Sequence, residues 1–309
     1  MLGPVAIFGE GLRAMSVSKK PRGNARPDAS RKPVAAEAVP DRQAMKSFLS
    51  TTTGRGRRDA IERAQDLVYD AWERATARSR IALARKALAI TPLCPDAYSV
   101  LAEEARSVEE ARELYARGVE AGELALGRKG FREYAGHFWG FLETRPYMRA
   151  RAGLAGVLLK LGDDEAATSH YRDMLELNPG DNQGIRYVLA ACLLRRGDEA
   201  GLKDLLVAYE DEGSAQWLYT RALLAFREGR VREDEVVRLV KDAWSANEHV
   251  PAILAGTASP VFSDGDYITV GGPDEATEYV AECGLAWRST PGAIEWLSKI
   301  TAHLPANDA

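Results

Sequence analysis

Three cysteines and four histidines are all that this 309-residue chain carries of the residue types most used for metal sites and nucleophilic chemistry. Cys94, Cys192 and Cys283 stand far apart in sequence and form no CxxC pair. An odd, dispersed set excludes a disulfide framework and a metal knuckle, and it fits a reduced, cytoplasmic protein with buried free thiols. His137, His170, His249 and His303 are equally scattered, so no metal site is expected. Gly-rich phosphate loops, GxSxG elbows and HExxH helices are missing, which removes the commonest cofactor and hydrolase signatures. No apolar run approaches the roughly 18 residues that span a bilayer. The short Pro4–Phe8 patch lacks a basic flank and ends at Gly9-Glu10, unlike a signal peptide. Met15 fits a translation start, because the residues ahead of it have no evident structural part.

What the chain does have is a repeat. Leu154-Ala155, Leu158, Gly162, Ala167, Tyr171, Met174 and Pro179 fall at the positions of a tetratricopeptide (TPR) unit. Such a unit spans about 34 residues, cannot bury its apolar face alone and must stack on neighbours. A second clear unit follows when Gly197 is aligned with Gly162, placing Leu189-Ala190, Leu193, Leu202, Leu206 and Tyr209 on core positions. Earlier, Leu67-Val68, Ala71, Ala84, Ala87-Leu88 and Pro92 make a first unit, and Tyr98 to Val119 a compressed one. Within the latter, Ser107-Val-Glu-Glu110 reads as a capping box. Gly118 and Gly122 are expected to weaken the end of its second helix, with Gly127–Gly130 as a loop. A looser last unit runs from Trp217 to Trp244.

The two ends differ from this body. Residues 1–58 hold twelve Lys/Arg and four Asp/Glu, about +8, which leaves about −12 for residues 59–309 given the whole-chain −4. Residues 1–57 read as a disordered basic tail, since they carry too little apolar surface to offset ordering entropy. A short helix around Asp41–Leu49 is compatible with Met45, Phe48 and Leu49 on one side. At the other end, residues 249–309 read as a helical cap: Gly272-Pro273-Asp274-Glu275 and Thr290-Pro291 are helix starts, and Tyr267–Val270 suits a short extended segment.

Candidate functional residues fall into two groups. His137-Phe-Trp139-Gly-Phe-Leu-Glu143-Thr-Arg145-Pro-Tyr147 concentrates hot-spot residue types in eleven positions. As a recognition site it would use His137, Trp139, Glu143, Arg145 and Tyr147; as a structural wedge it would fill a gap between repeats, with Glu143 and Arg145 locking a loop. The second group lies on the first helices of the repeats, which line the groove in TPR folds: Glu62, Gln65, Tyr69, Trp72 and Glu73, then Glu103, Arg149, Lys160, Tyr187 and Arg195. An acidic, aromatic first half beside a basic middle suits an extended peptide of mixed charge. Two competing expectations are an enzyme site built around His137–Arg145, and nucleic-acid contact through the Lys19–Arg22 and Arg55–Arg58 clusters.

Leu101-Ala-Glu-Glu104 followed by Val108-Glu-Glu-Ala111, with ALAITP ahead and EAGE at 120–123, resembles the TPR-like region of the suppressor of tumorigenicity seven family. The HFWGFLETRPYMRAR stretch and the GGPDEATEYVAECGLAWRSTPGAIEWL ending are similar to a group of bacterial TPR proteins. The resemblance implies an all-α TPR-like helix-turn-helix solenoid and a binding function, and it supplies no catalytic residue. The expectation is therefore a non-catalytic scaffold or adaptor over residues 58–248, with a C-terminal helical cap, a protein or peptide partner, and no cofactor.

Overall fold

The computed structural model describes residues 39–231, 234–263 and 268–306, and every regular element among them is an α-helix, fourteen in all. They divide into two compact units, residues 39–185 and 186–306. The all-helical class and the packing of consecutive helices match the arrangement of a helical solenoid.

The first unit opens with α1 (Arg42–Thr51), capped by the Asp41 carboxylate, which accepts from the Ala44 N–H at 2.8 Å. Met45 is its one fully buried side chain. Helix α2 (Gly54–Trp72) begins four residues ahead of the sequence-based start at Arg58. Arg57 donates to the carbonyl oxygens of Leu49 (2.9 Å) and Thr52 (2.8 Å), so it closes the C-terminus of α1 instead of standing free. The Lys19–Arg22 cluster, the Pro4–Phe8 patch and Met15 lie outside the described residues.

Three helix pairs follow: α2 with α3 (Ala77–Ile90), α4 (Pro95–Glu103) with α5 (Val108–Glu133), and α6 (Arg145–Lys160) with α7 (Asp164–Leu177). Ala64, Val68, Ala71, Ala84 and Ala87 are fully buried, and their small side chains let the helices approach closely. The capping box is formed: the Ser107 hydroxyl accepts from the Glu110 N–H at 3.1 Å, and the Glu110 carboxylate accepts from the Arg106 N–H at 2.9 Å. Along the row, α2 also packs on α4, and α4 on α6. The second helices make no comparable contacts with one another. The row is therefore joined along its α2–α4–α6 side.

Two sequence expectations for α5 need correction. Gly118 and Gly122 do not end the helix; they are where it meets α6. A Cβ at Gly122 would lie 2.9 Å from the Tyr147 Cβ, and one at Gly118 would lie 3.1 Å from the Ala150 Cβ. The break comes at Gly127 (φ 57°, ψ 178°), and helix resumes immediately through Glu133 where a loop was expected. Gly127 is free to take that conformation because it has no Cβ.

In the second unit, α8 (Ile185–Arg196) starts from the last residue of the first unit and leads into α9 (Glu199–Ala208), α10 (Ala215–Arg227) and α11 (Asp234–Ala246). The turn from α8 to α9 copies the one from α6 to α7. At Gly162 and Gly197 φ is positive, and the next residue's N–H (Asp163, Asp198) donates back to Leu158 and Leu193 at 2.9 and 3.0 Å. The same aspartates then cap the following helices, accepting from Ala166 and Gly201. This repeated helix stop and start is what the Gly-Asp pairs in the sequence encode.

The unit ends with α12 (Val250–Leu254), α13 (Pro273–Arg288) and α14 (Ala293–Thr301). Asn247, fully buried, donates to the Gly272 carbonyl at 2.9 Å and so fixes the start of α13. Trp287 is buried with its indole N–H on the Tyr279 hydroxyl at 2.8 Å. Ile268–Val270 form no strand, and Tyr267 lies outside the described residues. Helix α14 begins two residues after Pro291, at Ala293, with Gly292 as its cap.

Candidate functional site

The α2–α4–α6 side of the first unit collects four of the residues proposed from sequence: Tyr69, Trp72, Glu103 and Arg149. Helical spacing sets Gln65, Tyr69 and Trp72 within one stripe of α2. Tyr69 is 45% exposed, and its ring centroid lies 5.9 Å from that of the half-buried Trp72. Arg149 of α6 reaches across, with its guanidinium 5.2 Å from the centre of the Trp72 ring.

What anchors Arg149 is Asp96, a residue the sequence reading did not single out. Its carboxylate is fully buried. It accepts from Arg149 Nε at 2.9 Å, from the Arg149 terminal nitrogen, and from Gln65 Nε2 at 2.8 Å. A buried carboxylate needs such partners, because isolated charge in the interior costs several kcal/mol. The only sequence signal was Pro95-Asp96, which reads as an ordinary acidic first turn and hides the tertiary role. About two turns further, just past the end of α4, Glu104 is held by Arg80 of α3, with Nε at 2.7 Å.

Glu103 sits beside this pair. Solvent reaches it, yet protein crowds it closely enough that its carboxyl is pushed up to about 7. Burial is the main cause, followed by the charges of Asp96 and Glu104; Arg80 and a hydrogen bond from Trp72 pull the other way. Near the same face lies Cys94, whose thiol is pushed up to about 12, first by burial and then by the charge of Asp96. All three cysteines are buried, and no disulfide joins them. Glu62 and Glu73 are exposed on α2, and Lys160 stands exposed in the last turn of α6, about 16 Å along the axis from Arg149.

The aromatic stretch before α6 is placed differently. Phe138 is fully buried, its ring 5.2 Å from Phe131 and 6.0 Å from Tyr147, itself buried. The Phe138 N–H donates to the Leu177 carbonyl, and the Trp139 N–H to the Asn178 side-chain oxygen, both at 3.2 Å. The buried Thr144 hydroxyl donates to the carbonyl oxygens of Phe138 and Phe141. These bonds tie the stretch to the end of α7. Glu143 and Arg145 do not lock the loop as a pair. Arg145 turns back to the Trp139 carbonyl (2.9 Å) and lies 5.5 Å from the centre of its ring, while Glu143 points to solvent. His137 is exposed, and no hydrogen bond or ion pair joins its ring to another described side chain. Tyr147 is taken up by Arg151, which donates to its hydroxyl at 2.5 Å and also binds Asp173 and His170.

In the second unit, Tyr187 is a core residue, 5% exposed, and not a surface one. The Arg186 guanidinium lies 4.4 Å from its ring centre, and Trp217 meets it edge-on at 6.0 Å. Arg195 is exposed, with one terminal nitrogen 3.5 Å from the Cys192 sulfur. Its charge favours ionisation of Glu282, whose carboxyl is nonetheless raised to about 7 by burial and by Glu278. Among the described residues no group of three His, Cys, Asp or Glu is placed to hold a metal, and no helix is long and apolar enough to cross a membrane.

Similarity to known proteins extends over most of this architecture. A "Protein ST7 homolog" of Drosophila pseudoobscura pseudoobscura is 26% identical over 264 residues, covering 77% of this chain and 48% of the relative. "Suppressor of tumorigenicity 7 protein-like" of Rattus norvegicus is 27% identical over 263 residues, and a Caenorhabditis elegans "Protein ST7 homolog" 26% identical over 275. The chain is similar to the ST7 proteins. It spans about half the length of the curated relatives it matches, from 46% to 50%. No protein-family model matches the sequence. The ST7 likeness brings no catalytic residue to the face described above, and it agrees with the family resemblance carried by Leu101–Ala111.

Proposed function

We propose that this protein is a non-catalytic scaffold, an adaptor that holds a protein or peptide segment along the α2–α4–α6 face, in the manner of a TPR-like groove. The observation that carries the reading is the convergence there of Tyr69 and Trp72 of α2 with Arg149 of α6. Tyr, Trp and Arg dominate binding hot spots because they offer large contact area with few rotors to freeze. Arg149 is already fixed by Asp96, so little of its entropy is left to lose on binding. Three buried cysteines that form no disulfide suit a reducing compartment, and the reading places the protein in the cytoplasm.

The test is selection of random peptides on the full chain, followed by affinity measurement with the Tyr69→Ala and Trp72→Ala variants. Loss of about thirtyfold or more in either variant, with an unchanged far-UV spectrum and melting temperature, is the expected result. Selected peptides that bind both variants as well as the unaltered chain would place the site elsewhere and sink the reading.

A further inference from the structure

Three carboxylates lie along α4, and two of them are neutralised. Asp96 has Arg149, and Glu104 has Arg80. Glu103 has no cationic partner among the described residues. Its neighbours are aromatic instead. The Trp72 side chain stands close enough to favour its ionised form. Tyr115 of α5, buried to 7% exposure, passes Gly153 of α6 and lies within electrostatic reach of Glu103.

Gly153 makes that passage possible. A Cβ at this position would lie 2.2 Å from the Tyr115 ring, so only glycine lets the ring through. The result is a solvent-open carboxylate set against two aromatic side chains, on a face whose local charges (Asp96, Glu103, Glu104, Arg80, Arg149) sum to −1 when Glu103 is ionised. Aromatic walls lower the local dielectric and strengthen any charge pair formed there. The missing element is one positive charge.

We infer that Glu103 is the seat for a lysine or arginine side chain of the segment held on the α2–α4–α6 face. This rests on the binding reading above and specifies its ligand chemistry. The carboxylate recognises the cation, while Trp72 and Tyr115 exclude water from it. Complementary charge is what fixes register in an otherwise sequence-tolerant groove. The raised carboxyl of Glu103 follows from the same geometry: Asp96 and Glu104 on α4 oppose its ionisation, Arg80 on α3 and Trp72 on α2 favour it, and Arg149 on α6 is spent on Asp96.

The experiment is a double-mutant cycle between protein and selected peptide, using Glu103→Gln against replacement of the peptide's basic residue by norleucine. The expected result has three parts. Selected peptides share a Lys or Arg, its removal weakens binding to the unaltered chain about tenfold or more, and Glu103→Gln abolishes that difference. Affinity also rises from pH 6 to pH 8 in the unaltered chain, as Glu103 loses its proton while Lys and Arg stay charged, and it is flat in the Gln variant. Discrimination that persists in Glu103→Gln, or Tyr69-dependent peptides with no basic residue, would overturn the inference and leave the groove standing. Peptides indifferent to both Tyr69→Ala and Trp72→Ala would remove the groove and this seat together. Glu103 is exposed, so the Gln change leaves the fold intact; the norleucine peptide alone decides the matter if it does not.

Discussion

At the scale of single residues, Asp96 is the group on which the candidate face depends. Its carboxylate is completely withdrawn from water and is held by Arg149 and Gln65. Removing one partner of such a pair is costlier than removing both, because the remaining charge stays buried. Arg149→Met is therefore expected to destabilise the chain by about 3 kcal/mol or more. Adding Asp96→Asn to it should recover part of that loss. Urea unfolding of the two variants checks this, and equal destabilisation by the single and double changes would show that the pair is not coupled. None of this was legible from residue type, since Pro95-Asp96 is also an ordinary helix opening. Arg149 was visible as a groove residue, but its anchor was not.

At the scale of helices, the fold turns on where glycine replaces a side chain between neighbours. Gly122 and Gly118 on α5 and Gly153 on α6 are contact points, and Gly153 alone admits the Tyr115 ring. Intrinsic helix propensity predicts that Gly→Ala stabilises an exposed helix. Here the sign reverses, since the added methyl has no space and overpacking costs about 1–3 kcal/mol. Gly153→Ala should lower the melting temperature by several degrees, at roughly 2–4 °C per kcal/mol for a chain of this size. A rise on scanning calorimetry would mean that α5–α6 packing is looser than described. The stops at Gly162 and Gly197 behave differently and were readable directly, because a Gly-Asp pair carries both the end of one helix and the cap of the next in its local sequence.

For the whole molecule, the pH dependence of stability carries the mark of both units. Glu103 in the first and Glu282 in the second are each raised from 4.5 to about 7. A carboxyl raised by folding binds its proton more tightly in the native state. Its contribution is fully present below about 4.5 and is lost as the pH climbs through about 7. His170 acts the other way, because burial first and Arg151 second depress it below 6.5. The difference between the chain and a Glu103→Gln, Glu282→Gln double variant isolates the carboxyls: the unaltered chain should lose more stability between pH 5 and pH 8 than the variant. Parallel pH profiles would show that neither group is raised.

The sequence by itself determined the helical class, the stop and start signals at Gly162-Asp163 and Gly197-Asp198, the capping box at Ser107–Glu110, and the residue types available to the candidate face. These depend on i, i+3, i+4 periodicity and on caps, which act within one or two turns of chain. Only the tertiary structure decided what those residues do. Tyr187 and Arg195 looked alike on paper, yet one is buried under Arg186 and Trp217 while the other reaches solvent. Glu143 and Arg145 looked like a pair, and the start of α6 turned Arg145 toward Trp139 instead. Partners such as Asp96 with Arg149 or Glu103 with Tyr115 come from different helices, and their meeting is fixed by how closely those helices pack. That distance was set in part by the glycine at 153, whose missing side chain counts only once its neighbour is known.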